Sequence, residues 1–294
     1  MVNKELTQED VEKLIRLHSE GRMNDVEQGA KNLIEDYPAI PILYELLSAA
    51  ELDQGKLDAA VISLRRLDEI DRGNPDTLCN MGAALKELGR LEEAVDSFRR
   101  ALKINPNLPQ ALCNLGVALQ ELGRLDESIP CLRKASKFDP SLAEAHYNLG
   151  IALQMKGDIE SAVDCFRQAL SVNPMLTEAH VNLGRALQDM DEFDAAVASF
   201  HKALEITPGS AKNYVNLGTA LQDSGKHDEA MDSFQQALKF DPGYCEAHLG
   251  LGTGYLEEGK FEDGLRAISR GSGFIRFTPN SGHRIVKDIA HETT

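Results

Sequence analysis

Five asparagines at a constant spacing of 34 residues are the side chains whose type and pattern could do chemistry together. This asparagine ladder consists of Asn80, Asn114, Asn148, Asn182 and Asn216. A carboxamide both donates and accepts hydrogen bonds, so it can pair with the C=O and the N–H of a peptide backbone. A regular row of carboxamides therefore predicts a surface that holds an extended chain through its backbone. Hydrogen bonds within or between neighbouring helices are the alternative role for the same side chains.

Three histidines, His146, His180 and His248, fall at the same place in that period and resemble a metal-binding set. Elements packed side by side place equivalent residues about 10 Å apart, whereas zinc ligands lie about 2 Å from one ion. We therefore predict that these rings pack in the core, with no metal and no cofactor. The sequence also has no glycine-rich phosphate loop, nucleophile turn or His-Glu motif, which predicts a protein that is not an enzyme.

The composition narrows the classes of partner. The net charge of −16 disfavours nucleic acid, which needs clustered Lys and Arg, and it disfavours anionic membrane surfaces. No stretch of about 18 apolar residues occurs, and the first ten residues do not resemble a secretory signal, so we expect no membrane insertion. The five cysteines include no close-set pair, which is typical of free thiols in a reducing cytoplasm.

The 34-residue repeat predicts the secondary structure that positions the asparagines and histidines. Glycines recur at 34-residue steps from Gly82 to Gly252, and prolines from Pro106 to Pro242. Within residues 75–108, two apolar stripes at helical spacing flank Gly89, which predicts a helical hairpin closed by a proline. Asp191 stands where a turn glycine is expected, and an aspartate should tolerate the backbone of that turn.

Acidic residues begin the second helix of several repeats and have two interpretations. They are Glu92, Glu93, Asp126, Glu127, Asp194, Asp228 and Glu229. A negative charge stabilises a helix N-terminus by about 0.3–1 kcal/mol, which accounts for them without a partner. A basic protein drawn to an acidic face is the alternative.

The repeat resembles the tetratricopeptide repeat. In residues 75–108 the family pattern appears as Leu78, Met81-Gly82, Leu85, Gly89, Ala94, Phe98, Ala101 and Pro106. The resemblance implies an all-α fold, a right-handed α-solenoid superhelix of about eight helix-turn-helix repeats. We place the repeats at 7–40, 41–74, 75–108, 109–142, 143–176, 177–210, 211–244 and 245–278.

Both ends depart from the pattern. We divide the chain into a lead (1–6), two degenerate repeats (7–74), five regular repeats (75–244), a degenerate capping repeat (245–278) and a tail (279–294). Ser48 and Glu51, in the second repeat, occupy places that are normally small or apolar. Irregular terminal repeats are expected, because their outer faces must meet water.

The resemblance implies that first helices line a concave wall and that the residue before the Leu-Gly pair, here the asparagine ladder, faces the groove. The Asn-Leu-Gly pattern of the central repeats is similar to that in the superhelix of O-linked N-acetylglucosamine transferases, here without a catalytic domain. Further groove residues are Gln120, Gln154, Gln188, Gln222, Tyr147 and Ile151. The carboxylate clamp of some relatives needs Lys and Arg on these faces, and the places before the asparagines hold none.

These features predict a cytoplasmic, non-catalytic adaptor that binds an extended protein segment in its groove. The sixteen residues after the last repeat leave no room for a catalytic domain. One alternative is a self-assembling scaffold that uses its terminal repeats or the apolar residues Phe274, Ile275 and Phe277, which otherwise cap the last repeat. Another is a subunit that delivers clients to a separately encoded enzyme.

Overall fold

The computed structural model describes residues 6–272, which form sixteen α-helices and no strand. The first eight are α1 (Gln8–Ser19), α2 (Met23–Asp36), α3 (Pro41–Asp53), α4 (Leu57–Ile70), α5 (Pro75–Glu87), α6 (Leu91–Ile104), α7 (Pro109–Glu121) and α8 (Leu125–Phe138). The others are α9 (Ala143–Lys156), α10 (Ile159–Val172), α11 (Thr177–Asp189), α12 (Phe193–Ile206), α13 (Ala211–Asp223), α14 (His227–Phe240), α15 (Cys245–Glu257) and α16 (Phe261–Ser272). The predicted all-α repeat fold is confirmed.

The chain divides between residues 152 and 153 into two compact units. The N-terminal unit contains α1–α8 and most of α9, and the C-terminal unit contains α10–α16. In each unit, odd-numbered helices are the first helices of the repeats and even-numbered helices are the second. The predicted self-association residues Phe274, Ile275 and Phe277 and the tail at 279–294 lie outside the described residues.

The two helices of one repeat meet where the first helix has a glycine. At Gly82, an ideal Cβ atom would lie 2.7 Å from the ring of Phe98 on α6. At Gly116, it would lie 2.5 Å from Leu132 on α8, which takes the place of that phenylalanine. Glycine is therefore required at this place because a large side chain of the second helix packs directly against the backbone of the first.

The turn between α11 and α12 bears out the expectation for Asp191. Its φ is +60°, in the left-handed region that the turn glycines of other repeats occupy. For an L-residue other than glycine, this backbone conformation is unfavourable by about 1–2 kcal/mol, although by less for aspartate than for most residues.

Because of this strain, Asp191→Gly is expected to raise the free energy of unfolding by about 0.5–1 kcal/mol, after the entropy cost of glycine is subtracted. Urea unfolding followed by circular dichroism measures the change. The reciprocal variant Gly225→Asp, at a turn with φ of +77°, should lower stability by a similar amount. A loss of stability in Asp191→Gly would show that the aspartate side chain contributes more than its backbone strain costs.

Candidate protein-binding face on the first helices

The first two residues of the asparagine ladder present unpaired carboxamides. Asn80 on α5 is exposed and Asn114 on α7 is half-buried, and neither side chain makes a hydrogen bond among the described residues. The residue that follows Asn114, Leu115, is buried and turns toward the core. The helix therefore holds the leucine inward and leaves the asparagine before it at the surface, able to donate and accept hydrogen bonds.

Asn148 on α9 is used differently. Its Nδ2 donates to the sulfur of Cys113 on α7 at 3.7 Å, which links two successive first helices. Burial raises the pKa of the Cys113 thiol, so the sulfur stays protonated and is only a weak acceptor. At Asn148, the alternative role for the ladder, a hydrogen bond between neighbouring helices, therefore applies, although the bond is weak.

In the C-terminal unit, the ladder comprises Asn182 on α11 and Asn216 on α13, both half-buried. The Nδ2 atom of Asn216 is buried and has no hydrogen-bond acceptor. In the next repeat, Gly250 takes the equivalent place, and a Cβ atom there would lie 2.5 Å from the ring of Phe234. The ladder therefore stops at Asn216 because the Phe234 ring fills the space that the next side chain would need.

Two of the glutamines that were predicted to lie in the groove donate hydrogen bonds to the next repeat. The Nε2 atom of Gln188 donates to Oδ2 of Asp223 at 2.9 Å, and that of Gln222 donates to Oγ1 of Thr253 at 3.5 Å. Both bonds join one first helix to the next in the C-terminal unit. Each of these amides uses one donor within the fold, so it has fewer donors left for a bound chain than Asn80 or Asn114 has.

The remaining predicted groove residues are half-buried. Tyr147, Ile151 and Gln154 lie on α9 at spacings of four and three residues, so they share one face of that helix. Gln120 lies near the end of α7. An aromatic ring, an aliphatic chain and amides on one face can pack against side chains of a bound segment while the backbone is held by hydrogen bonds.

The three histidines that resemble a metal-binding set make hydrogen bonds, a structural role beyond the core packing that the sequence predicted. The Nε2 atoms of His146, His180 and His248 lie 3.0–3.1 Å from the carbonyl oxygens of the prolines six residues earlier. The Tyr44 hydroxyl donates to the Pro38 carbonyl in the same way, at 3.2 Å. Since a carbonyl only accepts, each histidine must carry its proton on Nε2. The sequence signal is a histidine six residues after a proline.

Models of the tetratricopeptide repeat match residues 84–123, 121–157, 143–176 and 176–243. Together they cover residues 84–243, more than half of the 294 residues. The chain belongs to the tetratricopeptide repeat family. Tetratricopeptide repeat proteins are generally scaffolds for protein interactions, because stacked repeats offer an extended binding surface. No curated protein matches the sequence.

Solved tetratricopeptide structures share the fold. The MamA protein is 28% identical over 57% of this chain and 92% of its own, with a TM-score of 0.54. A structure of MamA from residue 41 onward, from Desulfovibrio magneticus RS-1, is 27% identical over 57% of this chain and 95% of its own, with a TM-score of 0.54. YrrB, described as a TPR protein with an unusual peptide-binding site, has 20% identity, coverage of 67% and 97%, and a TM-score of 0.57. Its likeness shows the fold alone.

Acidic residues on the second helices of this tetratricopeptide array pair with basic residues of neighbouring repeats. Arg65 on α4 bonds Glu93 on α6, and Arg99 on α6 bonds Glu127 on α8, each at 2.5 Å. In the C-terminal unit, Lys226 bonds Asp194 at 2.6 Å. These contacts add a third role for the acidic residues, one that the sequence analysis missed: they link successive repeats as well as sitting at helix N-termini.

The described part of the tetratricopeptide array lacks the features of several other kinds of site. Across residues 6–272, no group of three His, Cys, Asp or Glu side chains is placed to hold a metal ion. Within the same range, no helix has the length and apolar character needed to cross a membrane. The cysteines there are free thiols.

Proposed function

We propose that this chain is a non-catalytic adaptor that binds an extended segment of a partner protein on its first-helix face. The observation that carries the proposal is the pair of carboxamides at Asn80 and Asn114, which are surface-facing and make no hydrogen bond among residues 6–272. An asparagine needed only for the fold would be expected to bond within it. Both side chains keep their donors and acceptor available for a peptide backbone.

The spacing of the helices supports an extended ligand. Packed helices lie roughly 10 Å apart, and an extended chain advances about 3.3 Å per residue. One asparagine per repeat can therefore meet the backbone at about every third residue. Recognition through the backbone would make the binding tolerant of sequence, while half-buried side chains such as Tyr147 and Ile151 add contacts to particular residues.

The proposal predicts that Asn80→Ala combined with Asn114→Ala weakens binding without changing the fold. Each lost hydrogen bond removes about 0.5–1.5 kcal/mol, so the dissociation constant should rise about 5- to 150-fold for the pair. The probe is the tightest peptide selected from a displayed library of random dodecapeptides on the full chain. Fluorescence anisotropy gives the affinity, and circular dichroism gives the unfolding midpoint.

The matched control replaces two exposed amides on second helices, Gln168→Ala and Gln235→Ala, which make no hydrogen bond in the described part of the chain. This control should bind the peptide as the wild type does. Equal binding by the asparagine variant and the control would contradict the proposal, as would a library that yields no binding peptide. Asn148→Ala is kept separate, because the loss of its bond to Cys113 would also change packing.

A further inference from the structure

A pocket of about 470 Å³ opens on the first-helix face of the N-terminal unit, beside Asn80. Its walls come from α3 and α5, His18 of α1 lies at its edge, and two leucines of α4 form its floor. The lining residues are His18, Glu45, Ser48, Ala49, Leu52, Asp53, Leu64, Leu67, Asn74, Asp76, Thr77 and Asn80. We call this site the acidic pocket.

Three carboxylates line the acidic pocket, and no Lys or Arg does. Glu45 and Asp53 belong to α3, and Asp76 belongs to the first turn of α5. None of the three pairs with a Lys or Arg in residues 6–272, and the base that lines the pocket is His18, whose Nε2 lies 3.9 Å from Asp53. Acidic residues such as Glu93 on the second helices are paired, so the pocket concentrates uncompensated negative charge.

A packed side chain in the same pocket, Thr77, has a hydroxyl without a partner in the described residues. Thr77 is only 4% exposed, and its hydroxyl makes no hydrogen bond within the described residues. Polar groups of packed side chains are normally paired, so a hydroxyl that lines a cavity without a protein partner is available to a ligand bound there. A hydroxyl oxygen can accept from a cationic N–H donor.

The N-terminus of α5 also borders the pocket, and a helix N-terminus ordinarily favours an anion. Here the side-chain oxygen of Asn74 already accepts from the backbone N–H groups of Asp76 and Thr77, at 3.0 and 3.5 Å. The partial positive charge of a helix end is about half an elementary charge. Three carboxylates outweigh it, so the field in the pocket favours a cation.

The floor of the pocket is apolar. Leu64 and Leu67 are each 1% exposed, and Leu52 is half-buried beside them. An apolar floor below a ring of carboxylates matches a side chain with an aliphatic stem and a cationic head, because such a stem packs on apolar surface while the head stays in a polar setting.

We propose that the acidic pocket receives one Lys or Arg side chain of the bound extended segment. This inference rests on the proposed function, because the cation must belong to a chain held on the same face. Asn80 lines the pocket and is also the first residue of the asparagine ladder. The ladder holds any backbone, whereas the pocket selects a basic residue at one position and so sets the register of the chain.

The test uses the same dodecapeptide library on the full chain and on the variant Glu45→Gln/Asp53→Asn/Asp76→Asn. The wild type should enrich Lys or Arg at one fixed position of the aligned peptides, and the variant should lose that preference. For the tightest peptide, the variant should bind about tenfold more weakly, because three exposed charge contacts are lost. Replacing the peptide's basic residue with norleucine should cost the wild type the same factor and the variant almost nothing.

A matched control removes the same charge elsewhere, with Glu121→Gln/Asp189→Asn/Asp228→Asn at exposed carboxylates that form no ion pair in the described residues. It should keep the preference for a basic residue. Peptides that need Asn80 and Asn114 but show no fixed basic position would overturn the acidic pocket and leave the proposed function standing. A basic preference that survives in the pocket variant would also overturn it. A library without any binding peptide would overturn both.

Discussion

Replacing Phe98 with alanine is expected to lower the free energy of unfolding by about 3–5 kcal/mol. The Phe98 ring is 0% exposed and belongs to a core cluster with residues of the second to fourth repeats, including Leu64, Leu85 and Leu115. It also covers the backbone at Gly82, where no side chain can move in to fill the space. Because the cavity cannot collapse, the full cost of truncation should appear. Urea unfolding followed by circular dichroism measures it.

Phe98→Leu is the matched control for this prediction. Leu132 fills the same place in the next repeat and packs against Gly116, so leucine should cost less than about 1.5 kcal/mol. The glycine gives a second check. Gly82→Ala should destabilise the wild type by crowding the ring, yet stabilise the Phe98→Ala variant, where alanine gains about 1 kcal/mol of helix propensity. The same sign in both backgrounds would contradict the close contact.

Much of the fold could be predicted because it depends on local pattern. A constant step from Gly82 to Gly252, with two helical stripes between, fixes paired helices, since the features that form each pair lie within about 30 residues. The backbone of Asp191 and the buried placement of His146 and His248 could be predicted for the same reason, whereas His180 is only half-buried. The carbonyl partner of each histidine was also within reach, because the proline lies in the same stretch of sequence.

Contacts between repeats were not predictable from the pattern. The bond from Gln188 to Asp223 and the bond from Asn148 to Cys113 depend on the rotation between successive helix pairs. That rotation is set by many small packing differences, which a consensus pattern does not encode. The acidic pocket belongs to the same class, because Glu45 and Asp76 lie in different repeats. The binding role of the asparagine ladder stays a prediction, and the contacts of each asparagine, such as the bond from Asn148 to Cys113, could not be predicted from the sequence.

The second large effect concerns Glu51, a charged residue in the core of the second repeat. It is 1% exposed, where later repeats have buried leucines such as Leu85 and Leu119. Its carboxylate accepts from the Ser63 hydroxyl at 2.7 Å and lies 3.7 Å from Nζ of Lys31. Lys31 is closer to Glu27, at 2.7 Å. Glu51 is therefore buried with one good hydrogen bond and a distant counter-charge, which does not offset the cost of removing a carboxylate from water.

Glu51→Leu is expected to raise the free energy of unfolding by about 1–4 kcal/mol. The partners that it leaves behind have other bonds to make. Lys31 keeps Glu27, and Ser63 can donate to the carbonyl four residues earlier, as Ser97 and Ser233 do at the same repeat position. Glu51→Gln, which keeps the shape and the oxygen for Ser63, should give a smaller gain. A loss of stability in Glu51→Leu would show that the network around Glu51 is net stabilising.

The pH dependence separates the buried charge from simple packing. Burial raises the pKa of Glu51 above its ordinary 4.5, so the folded chain binds a proton that the unfolded chain has released. Stability therefore falls as pH rises from 4.5 through the raised pKa, and the full cost is present above it. Glu27 acts in the opposite sense, because bonds from Lys31 and Lys56 lower its pKa to about 2, and its contribution to stability is lost as pH falls from 4.5 toward 2.

The gain in stability from Glu51→Leu should be largest at pH 7 and much smaller near pH 4. An equal advantage at both values would assign the gain to packing and not to the buried charge.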